Sequence, residues 1–223
     1  MGSKFAAPEK IKTAVITGGH PFDVPGFHAL FRSMREVDFY PQSLEDFVAD
    51  EGRVRQFYDV VVFYNFHREP PAETELRWGK ATREAIEELI ASGRGIFVLH
   101  HALLAFPEWR LWSDLVGISD RSFGFHMNQT VLVEIADPDH PVTRGLGPWT
   151  MIDETYTMAE PEAGCHVVLT TYHLNSMKAL AWTRSVGRAR VFCLQSGHGH
   201  EAYSNRNFRL VVERAIQWLA GRL

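Results

Sequence analysis

Residues 95–109 read GIFVLHHALLAFPEW: a short apolar run, Ile96 to Leu99, ends in two adjacent histidines. The chain carries eleven histidines in 223 residues, and several fall just after strand-like runs. His20 follows KTAVITGG, and His67 follows YDVVVFYNF, with Asn65 just before it. His198, His200 and Glu201 follow RVFCLQS. Neutral imidazole is a common nitrogen ligand for zinc, copper, iron and nickel, and histidine also titrates near neutral pH as an acid or base. Imidazoles on separate strand ends, with a carboxylate beside them, suit a divalent metal with an open position, which would polarise a carbonyl or activate a water.

Neighbours on a strand face opposite ways. We therefore assign His100 to the crevice and His101 to packing or helix entry. His20, whose two preceding glycines let the backbone approach a ligand, joins His100 and His198 as a candidate metal ligand. His100, His198 and Glu154 are the candidate catalytic residues. The stretch RSFGFHMNQ puts His126 and Asn128 on a loop over the crevice, ahead of an alternating strand. His126, Tyr203 and Asn65 are candidate substrate contacts. Adjacent Asp153 and Glu154 on an extended chain face opposite ways, so at most one enters the site. DPDHP reads as a rigid turn in which Asp137 and His140 bond the backbone, and His28, His166 and His173 read as solvated or core residues.

These side chains need a scaffold. HPFDVPGFHALFRSM places Phe27, Leu30, Phe31 and Met34 at helical spacing, with Asp23 and Pro25 suited to a helix start. YDVVVFYNF is an almost unbroken apolar run, as in a strand covered on both faces. TELRWGKATREAIEELIASG is an amphipathic helix closed by Gly93, and GIFVLHH returns to a buried strand. This alternation predicts a parallel sheet with right-handed crossovers, whose ligands bind in the crevice at the carboxyl ends of the strands. QTVLVEIAD, CHVVLTTYH and KALAWTRSVGRARVFCLQS read as further strands, the last with a hairpin turn at Gly187. NRNFRLVVERAIQWLAG is a capped terminal helix. Residues 11–223 form one α/β domain, and 1–10 read as a tag remnant or leader.

Composition narrows the function. Hydrophobic residues make up 45% and charged ones 22% of the chain, enough for a substantial core. A net charge of −4 argues against a nucleic-acid partner, and no apolar run is long enough to span a bilayer. A cytoplasmic protein is the expectation. Cys165 and Cys193 are too few and too far apart for a disulfide framework. The glycine cradles of nucleotide sites are missing, so no nucleotide cofactor is expected. There is no G-x-S-x-G elbow. The apolar face of EWRLWSDLVG leaves a homo-oligomer and internal packing equally open.

Six motifs in order, GGHPF, GRGIFVLHHAL, DPDHPVTRGL, DETY, AWTRSVGRARVFCLQSGH and FRLVVERAIQWLAG, span about Lys12 to Gly221. With them the chain resembles the ThuA-like family, the trehalose-utilisation proteins. The resemblance implies a class I glutamine amidotransferase-like fold: a flavodoxin-like, doubly wound, mostly parallel sheet with helices on both faces and extra antiparallel strands. It also implies a link to disaccharide catabolism through 3-keto sugars. In the amidotransferase relatives the elbow after the central strand carries a nucleophilic cysteine. Here that junction reads VLHHAL, so a residual amidotransferase lacks its nucleophile, although His198 matches the late partner histidine. Gly199 departs from the family pattern, which has an aspartate after GH; Glu201 is the nearest substitute. The resulting expectation is an enzyme acting on a sugar or keto-sugar, by metal-assisted chemistry with zinc, manganese or nickel or by acid–base chemistry. The alternative is a carbohydrate-binding or sensing protein without turnover.

Overall fold

The apolar runs behave as their patterns require. The computed structural model describes residues 9–49, 53–72 and 78–223. In β1 (Ile11–Gly18), β3 (Val60–Asn65) and β4 (Gly95–Leu99) most side chains are buried whichever way they point. Alternate residues enter different cores. Val15, Tyr64, Phe97 and Leu99 pack against α1 (Val24–Arg32) and α6 (Arg206–Leu219), while Ile16, Phe63, Ile96 and Val98 pack against α2 (Leu44–Ala49), α3 (Gly79–Ser92) and α4 (Arg110–Val116). Helices on both faces of a strand leave no polar side, hence the unbroken runs.

Three features put the sheet's carboxyl edge in place. Asp23 caps α1, its Oδ1 accepting from the Gly26 N–H at 3.1 Å, which offsets one orphan helix donor. Gly93, at φ +78°, closes α3 and turns the chain straight into β4. Phe208, Val211, Val212, Ala215, Ile216 and Leu219 all lie buried on one face of α6. The first part of the expected helix from Thr74, up to Arg77, lies outside the described residues, as do residues 1–8.

Among the described residues the sheet has nine strands in the order β2-β1-β3-β4-β9-β8-β7-β5-β6. The block from β2 (Val37–Ser43) through β1, β3 and β4 to β9 (Ala189–Leu194) is parallel. Beyond it β8 (Ala179–Val186), β7 (His166–Thr170), β5 (Gly124–Ile135) and β6 (Trp149–Thr157) pair antiparallel. The Gly187 turn joins β8 to β9, at φ +55°.

Two edge strands were not read from the sequence. β2 contains Pro41 and is half exposed, and proline is tolerated because the strand borders solvent on one side. β6 was taken only as an extended stretch after a turn. RSFGFHMNQ is a third difference: from Gly124 on it belongs to β5 rather than to a loop. His126 pairs with Thr155, and a bulge between His126 and Gln129 carries Asn128 at φ +55°. An extra residue on one strand breaks the alternation from which a strand is read.

The apolar face of EWRLWSDLVG is spent inside the chain: Trp109, Trp112, Leu115 and Val116 are all buried. No helix among the described residues is long and apolar enough to cross a membrane.

At the start of β4 the backbone passes so close to α6 that a Cβ on Gly95 would lie 2.5 Å from the Leu219 Cβ. Gly95→Ala is expected to lower unfolding free energy by about 1–3 kcal/mol in a urea titration, the usual cost of overpacking a filled core. Unchanged stability would contradict this close helix–strand packing.

Candidate functional site

The site begins where β4 stops. Leu99 pairs with Leu194 of β9; the next residue, His100, turns to φ +52° and opens a 3-10 turn, His100–Leu104. This left-handed backbone is uncommon for any residue but glycine and costs about 1–2 kcal/mol. Here it swings a fully buried imidazole toward the strand ends. His100 Nδ1 lies 2.7 Å from the carbonyl oxygen of Gln195. A carbonyl only accepts, so Nδ1 carries a proton, and Nε2 is the nitrogen left to face the site. Buried Arg121 closes the turn, donating to the carbonyls of Leu103, Ala105 and Phe106.

His100 Nε2 faces three groups. The Tyr156 hydroxyl is 2.8 Å away, His198 Nδ1 3.1 Å and Glu154 Oε1 3.5 Å. Glu154 Oε2 is in turn 3.5 Å from His198 Nδ1. His100, Glu154 and His198 each offer a donor atom within 4.8 Å of the others, the arrangement of a metal-binding cluster. Strand alternation in β6 accounts for Glu154 and Tyr156, two residues apart, reaching the same imidazole.

Asp153 points the other way and still serves the site, because the chain after β9 folds back over it. Its Oδ2 accepts from the Gly197 N–H at 2.7 Å and its Oδ1 from the His198 N–H at 3.0 Å. Of the two adjacent acids, Glu154 joins the cluster, while Asp153 holds the loop that presents His198. The hydroxyls of Tyr64 and Tyr203, 2.6 Å apart, grip the same loop from the opposite side. Tyr64 donates to Gly197 O at 2.9 Å and Tyr203 to His198 O at 3.1 Å.

Electrostatics follow from burial. Desolvation raises the Asp153 carboxyl, against the pull of His100 and of its backbone donors. Burial also works to raise Glu154, but its contacts with His100 and His198 outweigh that and hold it below the usual range. Burial, then His100, lowers His198, and burial, then Glu154, keeps the Tyr156 phenol well above its ordinary value. His198 is therefore a neutral base at neutral pH and Tyr156 a phenol that keeps its proton.

Two pockets flank the cluster and share Glu154 and His198 as their common wall. The first, about 120 Å³, is lined by Phe66, Phe123, Phe125 and Tyr156 with His20 and His101. The second, about 130 Å³, is lined by Met127, Asn128, Gly199, His200 and Glu201. A Cβ on Gly199 would meet nothing within 4 Å, so the second pocket is open where the family pattern has an aspartate.

The expected site residues divide accordingly. His100, His198 and Glu154 come together. His20 borders the first pocket, its ring 4.9 Å from that of His101 and 5.9 Å from that of His198, but it is not one of the three clustered donors. Asn65 and Tyr203 are buried at 0% and 2% exposure and line neither pocket; Asn65 Nδ2 sits 3.3 Å from His67 Nδ1. His126 lines neither pocket, although Phe125 and Met127 on either side of it do. His101 is buried as expected and also lines the pocket, with Nε2 donating to Tyr64 O at 2.9 Å. His67 pairs with Glu45, and His200 lies 3.7 Å from Asp23. The DPDHP turn forms as read: Asp137 accepts from the backbone of Asp139 and His140. Cys193 is fully buried, and desolvation pushes its thiol well up, so it supplies no thiolate. The sequence pointed to neither Gln195, which acts through its backbone, nor the aromatic wall.

Two outcomes test this geometry. If the left-handed elbow is real, His100→Gly, which adopts φ > 0 freely, will be more stable than His100→Ala by about 1 kcal/mol in chemical denaturation; the reverse order would contradict it. Burial, with the nearby His100, pushes His101 down to about 2, far below the ordinary value near 6.5. Between those values the unfolded chain binds a proton that the folded one refuses, so stability is full above pH 6.5 and falls as pH falls. From pH 7 to pH 5 this residue alone is expected to cost about 2 kcal/mol. His101→Gln should flatten that dependence, and an unchanged slope would show His101 to be protonated in the fold.

Residues 26–219 match the family described as ThuA, trehalose utilisation. No curated protein matches the chain. The fold is similar to the crystal structure of a ThuA-like protein from Parabacteroides merdae, with 19% identity over 95% of this chain and 90% of that one and a TM-score of 0.77. A ThuA-like protein from Bacteroides uniformis gives 18% identity over 96% and 93%, TM-score 0.71. A glutamine amidotransferase from Thermotoga maritima shares 11% identity over 93% and 98%, TM-score 0.54, and so the architecture alone. With a family match over most of its length and a glutamine amidotransferase-like sheet beneath it, the chain belongs to the ThuA, trehalose utilisation, family.

Proposed function

We propose that this protein is an enzyme acting on a sugar or keto-sugar, with its reacting centre at His100, His198 and Glu154 and a divalent metal ion, zinc, manganese or nickel, held by those three. The observation that carries the proposal is the spacing and chemistry of the donors. The two imidazole nitrogens lie 3.1 Å apart, and each is 3.5 Å from a different oxygen of the Glu154 carboxylate, separations close to the roughly 3.3 Å between ligands of a tetrahedral ion with bonds of about 2.0–2.1 Å. The second layer fits as well. A metal-bound histidine characteristically donates its other N–H to a carbonyl or carboxylate, as His100 does to Gln195. When bound, such a metal polarises a carbonyl or acidifies a coordinated hydroxyl or water.

The chain's own groups supply the rest. The rings of Phe66, Phe123, Phe125 and Tyr156 give the first pocket apolar walls against which the C–H face of a sugar ring packs. Tyr156, which keeps its proton, donates a hydrogen bond to developing negative charge beside His100. His20 stands across the pocket with its Nδ1 unpartnered, where an imidazole moves a proton to or from a substrate hydroxyl or α-carbon. The family's link to trehalose utilisation supports a carbohydrate, and a keto-sugar is a substrate that a Lewis acid and a nearby base enolise, isomerise or cleave. We place this activity in the cytoplasm. Glutamine hydrolysis has no nucleophile here, since the elbow residue is an imidazole.

The test is elemental analysis of protein purified without a histidine tag, paired with assays on keto-sugars. Wild type is expected to carry about one metal equivalent. His100→Ala, His198→Ala and Glu154→Gln should each lose it along with turnover. Sugar binding without metal or turnover would favour a binding or sensing protein instead, and an active, metal-loaded His100→Ala would overturn the assignment.

A further inference from the structure

Arg68 packs against residues that wall the first pocket. It is exposed, yet three groups that build the pocket wall hold it in place. Its Nη1 donates to Leu104 O at 3.0 Å, and its guanidinium carbon lies 5.2 Å from the Phe66 ring centre and 5.6 Å from that of Phe123. Leu104, Phe66 and Phe123 all line the pocket. Beneath it Arg121 is buried at 3% exposure, its two terminal nitrogens bonded to carbonyls and the Ser113 hydroxyl and its Nε without a partner. Among the described residues no carboxylate contacts either guanidinium. Glu154, the one acid in the pocket lining, is engaged with His100 and His198.

A guanidinium fixed by aromatic faces, with free N–H donors and a second buried cation behind it, is a prepared acceptor for a carboxylate or phosphate. Rotamer entropy that a free arginine would lose on binding is already spent here. The position matters too. The Phe66 ring centre lies 5.2 Å from the Arg68 guanidinium carbon and 5.7 Å from each of the His20 and His101 rings. One aromatic side chain therefore touches both the cation and the imidazoles of the pocket.

We propose that Arg68 anchors an anionic group at the far end of the substrate, so that the pocket takes an acidic sugar, one bearing a carboxylate or a phosphate, in preference to a neutral one. This rests on the first pocket being the carbohydrate site. The mode is electrostatic and partly exposed, so it weakens as salt rises.

The test is calorimetric titration of wild type, Arg68→Gln and Arg68→Lys with glucose, glucuronate and glucose 6-phosphate, with zinc content measured on the same samples. Wild type is expected to bind at least one of the two anions about tenfold or more tighter than glucose. Arg68→Gln should erase that preference, and Arg68→Lys, a point charge without the planar fork, should keep part of it. Preference for glucuronate identifies a carboxylate, and preference for glucose 6-phosphate a phosphate. Equal binding of all three sugars, a preference that survives in Arg68→Gln, or no binding of any would overturn the proposal. Metal retained without anion preference would remove only the anchor. Anion preference without metal would leave the anchor standing and remove the metal from the proposed function.

Discussion

The hydrogen bond from His100 Nδ1 to the carbonyl of Gln195 decides what the site can be. It places a proton on Nδ1 and so turns Nε2 toward His198, Glu154 and Tyr156. Three unlike elements have to cooperate for the bond to form. β4 and β9 must pair in parallel register so that residue 195 arrives beside residue 100. The elbow must accept a left-handed backbone at a non-glycine residue, and Arg121 must satisfy the carbonyls left open at the end of the short turn. Strain of this kind persists where the surroundings over-determine the conformation.

Around that bond the protein has buried an unusual density of polar groups, and those that hold the loop after β9 are paired. Asp153, Tyr64 and Tyr203 come from separate parts of the chain, and all fasten the two residues Gly197 and His198. In a low-dielectric interior such networks are strong when complete and costly when one member is missing. His198 is thus as firmly placed as His100, although it follows a glycine at φ +125° and sits in a loop. What remains open to solvent is the space on either side of the shared Glu154–His198 wall, aromatic on one side and polar on the other.

Much of this was legible in the sequence, for reasons that can be named. The continuous apolar runs of β1, β3 and β4 and the 3.6-residue stripe of α6 are strong periodic signals, and the crevice position of His100, His198 and Glu154 follows from strand ends and alternation. β2 and the bulged start of β5 were hidden because proline and an extra residue disrupt the two-residue period. The role of Asp153 was missed because alternation says which face a side chain takes, not that a distant loop will fold over that face. Burial of Tyr203 and Asn65 away from both pockets left no trace in the sequence, because polar residues near a strand end look alike whether they meet a ligand or brace the backbone. A backbone acceptor such as Gln195 O leaves no trace in residue type at all.

The central claim is that His100, His198 and Glu154 form one divalent-cation centre. It is tested most directly by anomalous diffraction from crystals grown with zinc, with data collected above and below the metal edge. The account predicts a single strong peak within bonding distance of His100 Nε2, His198 Nδ1 and the Glu154 carboxylate. A peak elsewhere, or none at those three atoms in a crystal whose solution binds zinc, would contradict it.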